Sequence, residues 1–189
     1  VIDALKYSVR EDFVFDDEIL NDLDYNKDVV LLTAHRRENW GKPMEDIFKA
    51  IRRVVLEKEN LEIVFPRHLN PIVREAAEKY FADLDRVHLI EPLSYLPFSN
   101  LMARVKFVVT DSGGVQEEAP ALGKPVLVLR NETERMEGVE AKTAKLVGTK
   151  EQDVYESIVA LLEDKDLYDE MARAVNPYGC LLYTSDAAD

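Results

Sequence analysis

Phe107-Val108-Val109-Thr110-Asp111-Ser112-Gly113-Gly114-Val115-Gln116-Glu117-Glu118 is the stretch on which the fold turns. A short apolar run of this kind suits a strand buried on both faces. The polar turn after it carries two glycines and leads into a segment that begins with acids, as a helix would. Taken alone, Asp-Ser-Gly-Gly is an ordinary strand-to-helix turn. It is equally a place where the backbone can approach a phosphate, with Ser112 as a helix cap and exposed N–H groups at a positive helix end.

Working outward, similar runs recur at Asp28–Thr33, Leu61–Pro66 and Val87–Ile90, then at 126–129 and, more weakly, at 144–147. The intervening segments change period. Met44, Ile47, Phe48, Ile51 and Val55 follow the spacing of an amphipathic helix, with Arg52, Arg53 and Glu57 off the stripe. Asn70-Pro71 opens another helix, with asparagine as cap and proline at the first position. Two further helical patterns run between 153 and 175. Strands alternating with helices imply right-handed crossovers and a parallel sheet with helices on both faces. Ligands of such sheets bind at the carboxyl ends of the strands.

That rule sorts the chemistry. Segments 33–37, 66–70, 91–98, 111–118 and 130–137 all follow strands, and they hold most of the unusual residues. His35, Arg36 and Arg37 offer an imidazole and two guanidinium forks to an anion, with an internal Arg–Glu ion pair in a solvated loop as the plain alternative. Arg67 and His68 form a second basic loop. Phe98 either stacks on a base or staples its helix to the core. Glu118 could accept two hydrogen bonds from vicinal hydroxyls. Arg135 is the basic residue of note in the acid-rich loop 130–140, and His88, inside a strand, reads as structural.

Composition narrows the function classes. The chain has 189 residues, suited to one α/β domain, and a formal net charge of −13. Such a charge repels nucleic acid and anionic lipid surfaces, yet a local basic cluster acts over about 10 Å and can still hold one small anion. No apolar run approaches the roughly 20 residues of a membrane span and no leader opens the chain, so the expected location is the cytoplasm. The single cysteine, Cys180, excludes an internal disulfide framework and a multi-cysteine metal site. No Walker-type loop, Gly-x-Gly-x-x-Gly or zinc spacing is present, and neither a cofactor nor a metal is expected.

The segments Thr33-Ala34-His35-Arg36-Arg37-Glu38-Asn39, His68-Leu69-Asn70-Pro71, 111–120 from Asp-Ser-Gly-Gly to Ala-Pro, Gly123-Lys124-Pro125-Val126 and Thr133-Glu134-Arg135 occur in one order and at one set of spacings. Together they resemble the bacterial non-hydrolysing UDP-N-acetylglucosamine 2-epimerases. The resemblance runs from Val1 to about Gly179 and corresponds to the C-terminal half of the family's protein. It implies the Rossmann-like C-terminal domain of a two-domain enzyme of GT-B type, with residues 1–24 as linker or the end of the preceding domain and 25–179 as the UDP-binding domain. It implies UDP or UDP-N-acetylglucosamine as ligand: Ser112, Gly113 and Gly114 at the diphosphate, Glu118 at the ribose, Phe98 near the uracil and Arg135 at the phosphates. His35 falls on the family's active-site histidine. Arg36 and His68 fall near a second, activating UDP-N-acetylglucosamine.

The family's reaction eliminates UDP to leave 2-acetamidoglucal and adds it back with the opposite configuration at C2, and its full-length members are homodimers. Its proton-transfer carboxylates lie in the other domain, so binding without turnover is expected of this half. Two other readings stay open: a GT-B glycosyltransferase and a non-catalytic nucleotide-sugar sensor. Met136 stands where the family has proline and Lys142 where it has glycine, so a backbone that needs positive φ at 142 would be strained. Residues 180–189 break from the family's continuation and read as an appended tail.

Overall fold

A computed structural model describes residues 2–178. In chain order the elements are α1 (Ile2–Ser8), α2 (Glu18–Asp22), β1 (Asp28–Thr33), a 3-10 turn (Arg37–Asn39), α3 (Lys42–Glu57), β2 (Leu61–Pro66) and α4 (Pro71–Phe81). They continue as β3 (Val87–Ile90), α5 (Tyr95–Arg104), β4 (Phe107–Thr110), α6 (Gly113–Ala121), β5 (Val126–Val128), α7 (Met136–Glu140), β6 (Ala144–Leu146), α8 (Glu151–Glu163) and α9 (Lys165–Arg173). The last two strands stop one residue short of the runs read from sequence. Their ladders nonetheless carry on, with Leu129 N–H bonded to Thr110 O at 2.8 Å and Val147 N–H to Val128 O at 2.9 Å.

All strand pairs are parallel and the sheet order is β3-β2-β1-β4-β5-β6. The order reverses between β1 and β4. This is the topological switch point at which a crevice opens beyond the strand ends. There Thr33 lies beside Thr110 in register, and their hydroxyls touch in the buried seam between the two strands.

Alternation along β1 explains the layers. Val30 and Leu32 face one core with Ile47, Phe48 and Ile51 of α3, Val73 of α4, Val154 of α8 and Met171 of α9. Val29 and Leu31 face the other, with Leu20 of α2, Leu101 of α5 and Val115 and Ala119 of α6. The α3 stripe is the one the spacing gave, and Phe48 meets Phe81 at 4.9 Å between ring centroids. Asn70 caps α4 by accepting from Ile72 N–H at 2.9 Å, with Pro71 at its first position.

Segment 2–24 carries two short helices and lies against the domain. Leu5 and Leu20 are fully buried, and Asn100 of α5 reaches across to accept from Arg10 N–H at 2.8 Å and donate to Ser8 O at 2.8 Å. The break between α8 and α9 falls at Asp164, which caps α9 through Leu167 N–H at 3.0 Å. Val1, Cys180 and the 180–189 tail expected from sequence lie outside the described residues.

Candidate functional site

The site assembles where β1 and β4 end side by side. Asp111, the first residue beyond β4, is fully buried, and one of its oxygens, Oδ2, ties the loop after β1 to the sheet. It accepts from His35 N–H and Arg36 N–H, each at 2.9 Å, and from the Asn39 side-chain amide at 3.2 Å. Asn39 is itself buried and also donates to Leu129 O at 3.1 Å. This clamp holds the His35 ring at the mouth of the crevice. Neither Asp111 nor Asn39 stood out in the sequence as an organiser, because their partners are far apart along the chain.

The α6 N-terminus faces the same crevice. Ser112 sits at the cap position but makes no side-chain cap bond, contrary to the expected role. Its own backbone N–H, which is not one of the donors a cap would meet, donates to the Thr110 hydroxyl at 2.9 Å. The N–H groups of the first helical turn therefore keep their capacity to meet an anion, and the helix end adds roughly half a positive charge.

Gly113 and Gly114 serve different purposes. A Cβ on Gly113 would lie 3.2 Å from Glu134 Oε1 and 3.5 Å from the Arg135 guanidinium carbon. The arginine loop thus packs directly on Gly113 at the helix end, and the one tight contact a side chain would add is with the end of Glu134. A Cβ on Gly114 would meet nothing within 4 Å, so that position opens onto free space. Arg135 is held there by Glu117, Nε to Oε1 at 2.6 Å, and more loosely by Glu134 at 3.4 Å. Beneath it runs a buried chain of bonds: Arg135 N–H to Thr133 Oγ1 at 3.0 Å, Thr133 Oγ1 to Gln116 Oε1 at 2.7 Å, and Gln116 Nε2 to Ser112 O at 3.3 Å. Thr133 and Gln116 are the second pair of organisers that the sequence did not mark.

Lys142 has φ +65, so the left-handed geometry expected to need glycine is present with lysine in it. Its N–H closes the end of α7 on Val139 O at 3.1 Å, and its amine reaches Glu170 at 3.1 Å. Arg135 keeps its place over Gly113 all the same.

A cavity of about 280 Å³ lies beside the α6 N-terminus, with His35, His68, Phe98, Ser112 and Val115 in its wall; Gly113, Gly114, Glu118 and Arg135 do not line it. The His35 and His68 rings stack at 5.4 Å with their planes 11° apart. Arg36 is not with them. It lines a second cavity, of about 360 Å³, with Asn39, Pro43 and Arg130. There it forms the Arg–Glu pair foreseen as the plain alternative, with Nε and Nη2 on Glu38 at 3.0 and 3.1 Å. Hydrogen bonding to Arg36 holds the Glu38 carboxyl well below its ordinary range, at about 2. Arg67 is likewise engaged, with Glu78 at 2.6 Å and Glu91 at 3.6 Å. His88 pairs with Glu62 at 2.7 Å, in keeping with a structural role.

Glu118 lies one residue beyond Glu117 on α6 and takes no hydrogen bond or ion pair from the described residues. Burial, followed by the Glu117 charge, pushes its carboxyl up. Among the described residues no cluster of His, Cys, Asp and Glu could hold a metal ion, and no helix is long and apolar enough to cross a membrane.

Comparison with known proteins shows the family and the fold. A family model described as UDP-N-acetylglucosamine 2-epimerase matches residues 1–181. The UDP-N-acetylglucosamine 2-epimerase of Bacillus subtilis is 58% identical over 178 residues, 94% of this chain and 46% of the relative. The co-structure of MnaA from S. aureus with UDP superposes with a TM-score of 0.89 at 51% identity, covering 94% of this chain and 48% of the other. The UDP-GlcNAc 2-epimerase of Neisseria meningitidis, solved with UDP-GlcNAc bound, gives 0.82 at 41% identity, covering 91% and 49%. The chain spans about half the length of the curated relatives it matches.

Proposed function

The chain belongs to the UDP-N-acetylglucosamine 2-epimerase family, and from that premise we propose that it is the nucleotide-binding half of an enzyme interconverting UDP-N-acetylglucosamine and UDP-N-acetylmannosamine. The observation that carries the reading is the closing of Arg135 over the side-chain-free Gly113 at the α6 N-terminus, beside the cavity that His35 and Phe98 line. A cation and a helix end then converge on one point, which suits a diphosphate.

The reaction makes two demands. A base must take the C2 proton, and the C1–O bond must break with its electron pair leaving on the UDP β-phosphate. Ser112, Gly113, Gly114 and Arg135 answer the second, since fixed donors around the phosphate stabilise charge as it develops. His35 is placed to hydrogen-bond the same phosphate or the sugar. Glu118 accepts from the ribose hydroxyls, and Phe98 packs near the uracil. His68 and Arg36 contribute to a second nucleotide-sugar site, Arg36 from its own cavity. Residues 25–179 form the UDP-binding domain in this reading, and the full-length enzyme is a cytoplasmic homodimer.

The base belongs to the remaining half of the enzyme, and half a cleft cannot orient both reacting groups. The chain alone therefore binds nucleotide without turning it over. A coupled assay checks this: the expected rate with UDP-N-acetylglucosamine is background, and conversion at the rate of a full-length relative overturns the reading.

A further inference from the structure

The two oxygens of Asp111 have unequal lives. Oδ2 takes the three N–H donors described above, whereas Oδ1, equally shut off from solvent, accepts no hydrogen bond. A buried carboxylate oxygen left without a donor is costly, so a group placed opposite it is expected to donate. The group set opposite it is His35 Nδ1, 3.3 Å away. An ionised carboxylate only accepts, so the contact is attractive when Nδ1 carries the proton. The separation is at the outer edge of hydrogen-bond range, and bonds of this kind shorten when a reacting complex forms.

The ring is held on other sides as well. His68 covers its face, and His68 is pinned in turn because its Nδ1 accepts from Asn70 N–H at 3.2 Å. Trp40 Nε1 donates to the His35 carbonyl at 3.3 Å and anchors the backbone beneath. With Nδ1 turned to Asp111, the ring's geometry leaves Nε2 on the opposite edge.

We propose that Asp111 is a positioning residue that holds His35 in its Nδ1–H tautomer, so that Nε2 is the nitrogen presented to the cavity walled by Phe98, Ser112 and Val115. Nε2 is then free to accept a proton or, once protonated, to donate to a phosphate oxygen, with the Asp111 charge stabilising the imidazolium. What Nε2 acts on rests on the proposed function; the tautomer does not.

Nitrogen-15 ring correlations of the histidine-labelled chain, at a pH where imidazole is neutral, test the idea, with the His35 signals assigned by their loss in His35→Gln. The parent chain is expected to show His35 protonated at Nδ1. Asp111→Asn should invert it to Nε2–H, because the amide oxygen can keep the backbone donors while the amide nitrogen donates to Nδ1. Asn39→Ala, which removes one bond to Oδ2 and leaves Oδ1 in place, should keep the parent tautomer. An Nε2–H form in the parent, or no inversion in a folded Asp111→Asn, overturns the proposal. If Asp111→Asn fails to fold, the parent spectrum decides alone. Failure of UDP to bind the same sample would sink the functional reading and leave the tautomer result standing.

Discussion

At the scale of single residues, the site is built from groups that the fold leaves unsatisfied. Glu118 is the clearest case. Burial raises its carboxyl above the ordinary value, so its ionised form is penalised in the folded chain. The sign follows directly. With the folded value above the unfolded one, the penalty is absent at acid pH and grows as pH rises through the folded value. Glu118→Gln should therefore raise Tm at pH 7 and leave it unchanged near the acid end of the stable range. The same substitution should weaken UDP binding by about 1.5 kcal/mol, roughly tenfold, through loss of a charged acceptor. In the parent, affinity for a nucleotide sugar should fall as pH drops through the Glu118 titration, because ribose hydroxyls donate more strongly to the ionised form. Calorimetry across pH checks both; a Glu118→Gln protein that binds as tightly as the parent contradicts the ribose contact.

Gly113 separates stability from binding in another way. Its φ lies outside the left-handed region, so alanine fits the backbone, and its nearest clash would be with the end of a flexible glutamate. Gly113→Ala should hold Tm within a degree or two while placing a methyl group 3.2 Å from Glu134 Oε1 at the helix end proposed to meet the diphosphate. The expected loss is about tenfold in UDP affinity. A matching loss of stability in thermal melts would instead mark Gly113 as a packing glycine.

Among the elements, the turn that ends α7 carries the one non-glycine residue at positive φ among the described residues, Lys142. That conformation costs an L-residue about 1–2 kcal/mol. Part of it is offset by an exposed ion pair with Glu170 worth at most about 0.5 kcal/mol. Lys142→Gly should raise stability by about 0.5–1 kcal/mol, read as a higher urea midpoint at constant slope, with UDP affinity unchanged. The strands before β6 were legible because each centres on a short apolar run rich in Val, Ile or Leu, β6 (Ala-Lys-Leu) only weakly so, and α3 and α4 because their stripes and caps are local signals. What is not local was not legible. Asp111 acts on residues more than seventy positions away, and only the sheet order makes them neighbours. The Ser112 cap was misjudged as well: its side chain makes no cap bond, and the Thr110 hydroxyl accepts only Ser112's own N–H, leaving the first-turn donors open. Whether Arg36 would face an anion or Glu38 also lay beyond the reach of spacing, since both are two-residue decisions about side-chain direction.

For the molecule as a whole, the parallel order β3-β2-β1-β4-β5-β6 sets the switch point between β1 and β4, and His35, Asp111 and the α6 N-terminus gather there because they follow those two strands. Across the molecule the net charge of −13 is screened beyond about 10 Å, while at that point the helix end and Arg135, itself paired with Glu117 and Glu134, set the local field. On the proposed function this chain, spanning about half the length of its relatives, carries a UDP site of its own. Isothermal titration of UDP into the parent chain and into Glu118→Ala measures it most directly. Saturable one-to-one binding, weakened at least about tenfold in the variant, is the predicted result; no binding to the parent, or equal affinity in the two proteins, would contradict it.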